Sequence, residues 1–264
     1  MPEKAVLIGA GNLAWHLAPA LDRAGIVIDQ VIATNPLRAK ELAGKFGAYF
    51  GTECVSGSKV EWIFICTGDN QIEAVAEKFS SYGEIMVHSS GSTSIEVISS
   101  HNRHAAVLYP LQTLHKDRKI DFNKIPLLIE ASDSSTEQKI RLLAEKLSSQ
   151  VQFVNSENRR LVHLAAVITN NFTNHLMHQA ENIMNFSGLP TQWLYPLLAE
   201  TVAKASAMGA KNAQTGPAKR GDLQTIATHL EWLSLHQPNL AKIYKEISMS
   251  ILREYKDGDD LENI

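Results

Sequence analysis

The sequence predicts an α/β protein, with a doubly wound, mostly parallel sheet in residues 1–154 and an all-α domain in residues 155–264. Three observations carry this expectation. Short apolar runs alternate with amphipathic helical stretches up to residue 154. The first run flows straight into Gly9-x-Gly11-x-x-Ala14, and from residue 157 onward apolar residues recur only at helical spacing. At 264 residues the chain also exceeds what one compact core usually serves, so two domains suit its length.

Each element has its own signal. Residues 5–8 form an apolar strand, and residues 12–24 a helix stopped by Gly25, with Pro19 expected to kink it by removing an intrahelical hydrogen bond. A second strand at 27–33 leads to a helix at 37–46. Further strands are expected at 62–66, 85–88, 105–108, 127–129 and 151–154. Several are continuous apolar runs, as parallel strands covered on both faces should be. The helix before the last strand opens with Ser134-x-x-Glu137, the form of a capping box. Beyond it, Leu161, Leu164, Ile168, Leu176, Ala180 and Ile183 keep a helical period with no breaker before Gly188-Leu189-Pro190. That spacing predicts one helix of about 30 residues, roughly 45 Å long. Helices at 196–208, 222–235 and 239–255 follow, Pro238 separating the last two, and the charged tail at 256–264 should fray.

The glycine turn is a dinucleotide site. Gly9 lets the chain turn sharply off the strand, Gly11 lets the backbone approach a pyrophosphate, and Ala14 lets helix and strand pack closely. Ala10, Asn12 and Leu13 complete the turn, and the N–H groups of the following helix point at the phosphates. An ordinary tight turn would share the glycines, but not the strand before and the helix after them. An NAD enzyme would place a carboxylate at the exit of the second strand, where this chain has Thr34-Asn35-Pro36-Leu37-Arg38. Asp29 lies at the wrong end of that strand. Asn35 and Arg38 suit a 2′-phosphate, so NADP(H) is expected over NAD(H).

Ligands of an open sheet bind beyond the carboxyl ends of its strands. The loops there are Thr67-Gly68-Asp69-Asn70, His88-Ser89-Ser90-Gly91-Ser92-Thr93 and Tyr109-Pro110-Leu111-Gln112-Thr113. From these, Thr67, Gly68, Ser89 and Ser90 are candidate cofactor contacts and Gln112 a candidate substrate contact. On the long helix, His163, Asn170 and Asn174 stand at i, i+7 and i+11 and should share one face, with Asn171 able to exchange roles with Asn170. Hydride transfer to a carbonyl or imine needs a proton donor and a positioning hydrogen bond, which histidine and amides supply. The same groups would satisfy one another equally well at a packing surface. Arg220, in the turn-rich loop from Thr215 to Asp222, has a fork suited to an anionic group of the substrate, and Asp222 should cap the next helix.

Composition narrows the rest. The net charge is −3, from 25 basic and 28 acidic residues, and no basic stripe interleaved with aromatics marks a nucleic-acid surface. Cys54 and Cys66 read as reduced structural thiols, and no apolar stretch is long enough for a membrane span. The first strand begins within five residues of the amino terminus, leaving no room for a signal peptide, so a cytoplasmic protein is expected. His175 and His178 have no third ligand at suitable spacing, and no metal is expected.

The motifs Gly9-Ala10-Gly11-Asn12-Leu13-Ala14, His88-Ser89-Ser90-Gly91, Tyr109-Pro110-Leu111-Gln112-Thr113, His163-Leu164-Ala165-Ala166 with Asn171, and Thr215-Gly216-Pro217 through Arg220-Gly221-Asp222 resemble those of a known family. These are the Rossmann-like "putative NADP oxidoreductases" whose carboxy-terminal helical domain has no assigned function. More distantly the layout is similar to pyrroline-5-carboxylate reductases, ketopantoate reductases and β-hydroxyacid dehydrogenases, which share a six-phosphogluconate-dehydrogenase-like helical domain. The resemblance implies a catalytic site between the domains and a homodimer formed through the helices. Where the last two groups carry a catalytic lysine with an asparagine one turn on, this helix offers His163 and Val167. The expectation is therefore an NADP(H)-dependent oxidoreductase acting on a small carbonyl or imine compound. The alternative is a non-catalytic protein that senses dinucleotide occupancy.

Overall fold

The computed structural model describes residues 2–55 and 60–255; the tail at 256–264 lies outside them. The described residues divide into two compact units, one ending at Phe172 and the other beginning at Thr173. In chain order the first contains β1 (Lys4–Ile8), α1 (Asn12–Arg23), β2 (Val27–Ile32), α2 (Pro36–Ala43), β3 (Tyr49–Gly51) and β4 (Val60–Ile65). It continues with α3 (Ile72–Phe79), β5 (Gly83–His88), α4 (Glu96–Ser99), β6 (Ala105–Pro110), β7 (Leu127–Ala131), α5 (Ser134–Leu147), β8 (Val151–Phe153) and α6 (Ser156–Ala166).

The eight strands form one sheet in the order β3-β2-β1-β4-β5-β6-β7-β8, parallel throughout except for the antiparallel β6–β7 pair. Parallel strands buried on both faces send alternate side chains to opposite sides. On β4, Trp62 and Phe64 join Leu17 and Leu21 of α1 and Ile140 of α5, whereas Ile63 and Ile65 join Ile72, Ala76 and Phe79 of α3. Each such large apolar side chain, fully buried, contributes about 1.5–3 kcal/mol before chain entropy is offset. The strand order reverses between β1 and β4, which opens a crevice at their carboxyl ends.

Local details refine the sequence reading. β3 was not expected; its Tyr49 and Phe50 are exposed, so it lacks the apolar run that announces the other strands. Pro19 lies inside α1, yet the helix runs unbroken to Arg23. The cap of α5 is Asp133 rather than Ser134, accepting from the N–H groups of Ser135 and Thr136 at 3.0 and 3.1 Å. The carboxylate thus satisfies two of the orphan donors in the first turn, and its charge suits the helix N-terminus.

The stretch read as a single helix is three segments in direct succession: α6, a π-helical turn over Val167–Phe172, and α7 (Thr173–Phe186). The second unit continues with α8 (Leu194–Met208), α9 (Ala210–Ala213), α10 (Pro217–Arg220), α11 (Leu223–His236) and α12 (Pro238–Tyr255). Asp222 caps α11 as expected, accepting from the Thr225 N–H at 3.1 Å and its hydroxyl at 2.8 Å. Ala218, Ile226 and Leu252 form this unit's small buried cluster. Among the described residues no helix is long and apolar enough to cross a membrane.

Candidate functional site

β1 delivers its last residue, Ile8, to the switch point, where Gly9 turns the chain at φ +112°. A Cβ on Gly9 would stand 2.5 Å from the Cys66 carbonyl oxygen, so packing against β4 dictates that glycine. Gly11 differs. Its φ is −84°, open to any residue, and a Cβ there would meet nothing nearer than 4.0 Å. No contact among the described residues requires Gly11; what its missing side chain preserves is open space before the first turn of α1. That space belongs to a cavity of about 460 Å³ whose lining includes Gly9, Ala10, Gly11, Thr34, Asn35, Arg38, Thr67 and Gly68. Ala14 is fully buried, as close packing of α1 on the sheet requires.

The second-strand exit presents no carboxylate to this cavity. Asp29 instead pairs with Lys4 at 2.7 Å at the opposite end of the strand. Asn35 spends its carbonyl oxygen as the cap of α2, accepting from Leu37 and Arg38 N–H groups, which leaves its amide donors available. Arg38 lies beside it in the lining. The Thr67 hydroxyl is buried without a hydrogen-bond partner among the described residues, a donor and acceptor that a bound sugar or phosphate would satisfy. Glycine turn, unpartnered hydroxyl and guanidinium all fit a phosphorylated dinucleotide. Leu13 packs on the core and Asn12 accepts from the Lys116 N–H at 3.2 Å, so these two support the turn.

The loop after β5 is held from within. Ser90 Oγ accepts from the Ser92 and Thr93 N–H groups at 3.1 and 3.0 Å, a structural role where a cofactor contact was expected. The Ser89 hydroxyl is buried and unpartnered among the described residues. His88 is wholly buried and its imidazole is pushed down to about 3, by burial first and by the Arg159 charge second. It is neutral, with Nδ1 accepting from the Ser90 N–H at 3.1 Å.

Arg159 and Glu130 were missed in the sequence. Arg159, fully buried in α6, donates to Glu130 on β7, to the Ser90 carbonyl at 3.2 Å and to the Thr93 carbonyl at 2.5 Å. Glu130 also accepts from the Ser156 N–H and hydroxyl at 2.9 and 2.7 Å. One ion pair thus fastens the start of α6 to the sheet and to the loop after β5. A glutamate inside the apolar run Leu127–Ala131 was the available signal.

Beyond the loop, Tyr109 Oη lies 3.1 Å from His163 Nδ1, the rings edge to face. A Cβ on Gly91 would fall 2.7 Å from that nitrogen and 2.8 Å from the tyrosine ring, so Gly91 is what admits the pair. Burial raises the Tyr109 hydroxyl above its usual range, with Asp69 adding to the effect, and the phenol stays protonated. Tyr109, His163, Gln112, Thr113, Asn170 and Asn171 line a second cavity of about 530 Å³. Asn174 is exposed on α7, outside that lining. The expected 163/170/174 face assumed uniform α-helical winding. A π turn holds more residues than an α turn, so later positions lag behind uniform α winding, which turns Asn171 toward the His163 face and Asn174 away from it.

Arg220 is exposed at the end of α10; the Thr225 N–H and hydroxyl hold the nearby Asp222 carboxyl low, and the Arg220 charge adds to the effect. His175 and His178 lie on α7, and no cluster of three metal-ligating side chains occurs among the described residues. Both cysteines are free; burial pushes the Cys66 thiol up to about 12 and the half-buried Cys54 thiol up to about 11.

Residues 125–251 match a family described as a domain of unknown function (DUF2520). The fold is similar over 96% of this chain and 98% of the other to a "putative NADP oxidoreductase" from Bacteroides fragilis, at 36% identity and TM-score 0.89. A Thermotoga maritima protein shares the fold at 24% identity and TM-score 0.72, covering 95% of this chain and 97% of that one. A pyrroline-5-carboxylate reductase from Coxiella burnetii does so at 15% identity and TM-score 0.55, covering 97% and 98%. No curated protein matches the chain.

Proposed function

The chain belongs to the oxidoreductase family of the Bacteroides fragilis protein, and from that premise we propose that it is an NADP(H)-dependent enzyme reducing, or in reverse forming, a small carbonyl or imine. The observation that carries the reading is Gly11, whose missing side chain serves no contact among the described residues and leaves room for a pyrophosphate. Arg38 and the free amide of Asn35 supply donors where an NAD enzyme would have a carboxylate. When bound there, NADPH supplies the hydride.

The chain's own residues supply the proton and the positioning. In its protonated form His163 donates Nδ1–H to the Tyr109 oxygen, which leaves Nε2–H for the substrate. Transfer of that proton to the substrate's oxygen or nitrogen leaves a neutral imidazole, its remaining hydrogen still on Nδ1. Asn170, Asn171 and Gln112 line the same cavity and offer amide donors and acceptors to orient the substrate. Arg220, exposed on α10, is proposed to hold an anionic group of it.

A homodimer is part of this proposal. α7 and α8 contribute no buried residue among those described, while Phe186, Trp193, Leu197, Val202 and Met208 are exposed. Isolated helices with unburied apolar stripes are marginal in water, and a two-fold copy offers the same stripes in return.

Oxidation of NADPH across a panel of keto acids, aldehydes and cyclic imines tests the reading. Turnover with at least one class, at least tenfold slower in His163→Ala with NADPH affinity unchanged, is the expected result. NADPH binding with no turnover across the panel would favour a dinucleotide sensor instead.

A further inference from the structure

Arg38 lines two cavities. Besides the one at the glycine turn it borders a second, of about 370 Å³, bounded also by Asn12, Trp15, Glu41, His115 and Lys116. This space lies between α1, α2 and a turn in the connection from β6 to β7. Two hydrogen bonds fasten that turn to α1: the Lys116 N–H to Asn12 Oδ1 at 3.2 Å, and His16 Nε2 with the His115 carbonyl at 2.9 Å. The Lys116 ammonium stands 5.6 Å from the centre of the Trp15 ring, on the first turn of α1. The turn therefore carries a cation to the helix end where anions are favoured.

Charge decides what this space accepts. With Arg38 and Glu41 alone the lining would be balanced, and an anion would gain little over water. Lys116 makes two cations against one carboxylate. We propose that this space seats the 2′-phosphate of the cofactor, and that Lys116 joins Arg38 in holding it. The inference rests on the NADP reading above and adds to it a residue far in sequence from the glycine turn. A phosphate contacted from two sides has its oxygens shared between a guanidinium fork and an ammonium, and the nucleotide lacking that phosphate leaves the excess positive charge uncompensated.

The test compares 2′,5′-ADP with 5′-AMP by calorimetric titration of the full chain, since the two differ only in the 2′-phosphate. The wild type should bind 2′,5′-ADP more tightly. Lys116→Ala should weaken 2′,5′-ADP roughly tenfold or more while 5′-AMP stays within about twofold, the scale of one charge-assisted hydrogen bond. Lys116→Arg should keep most of the preference, and added salt should narrow the gap between wild type and Lys116→Ala. Lys116 is exposed, so an unchanged melting temperature checks that the variants fold. Equal losses for both nucleotides would assign Lys116 to the 5′-phosphate and overturn the proposal. A wild type that prefers 2′,5′-ADP, with Lys116→Ala unchanged, would overturn it while leaving the NADP reading intact. A wild type without preference would remove both.

Discussion

His88 ends β5 with no solvent exposure and an imidazole that stays neutral down to about pH 3. In the unfolded chain the same ring takes up a proton near its ordinary 6.5. Its contribution to stability is therefore whole above pH 6.5 and is lost as pH falls from there toward 3. Between pH 6.5 and 5 the loss should be about 2 kcal/mol, at about 1.4 kcal/mol per unit. Urea unfolding at the two pH values should show this difference in the wild type and a smaller one in His88→Gln. The Arg159–Glu130 pair obeys a related rule: stranding one buried charge is worse than removing both. Arg159→Met should destabilise by about 3–5 kcal/mol, and adding Glu130→Leu should recover a large part of it. Denaturant midpoints of the single and double variants check this.

At the scale of the element, the π turn over Val167–Phe172 is the feature with the greatest chemical consequence. Its wider winding turns Asn171 toward the His163 face and Asn174 away from it, and His163, Asn170 and Asn171 line one cavity. Replacing Asn170 and Asn171 together by Ala removes both amides while leaving the backbone of the turn in place. Far-ultraviolet circular dichroism should be retained, while turnover of an identified substrate should fall about a hundredfold, as expected when positioning groups are removed. Full turnover in the double variant would mean that the amides do not orient the substrate.

The whole molecule poses a question of burial. The sheet unit is covered on both faces, whereas the helical unit's buried cluster consists of Ala218, Ile226 and Leu252. A small domain needs more core than that to fold alone, and association is the common remedy. Light scattering at micromolar concentration should give twice the 29.1 kDa chain mass. Leu197→Glu with Val202→Glu should lower both that mass and the melting temperature, because charges would then sit where apolar stripes meet. A monomeric, equally stable wild type would remove the dimer from the proposal.

The sequence by itself determined the mostly parallel sheet and the glycine turn after its first strand, because these depend on short-range patterns. Continuous apolar runs, a Gly-x-Gly turn and a strand exit without a carboxylate are each written within a few residues. It did not reveal β3, whose exposed Tyr49 and Phe50 leave no apolar run, or the cap at Asp133, one residue ahead of the capping-box pattern. Only the tertiary structure brought Arg159 to Glu130, His163 to Tyr109 and Lys116 to Asn12, pairs separated by 29, 54 and 104 positions. No local period encodes such meetings. They follow from where the sheet sets each strand end, and the π turn, which no residue pattern announces, then decided which asparagines share a cavity with the histidine.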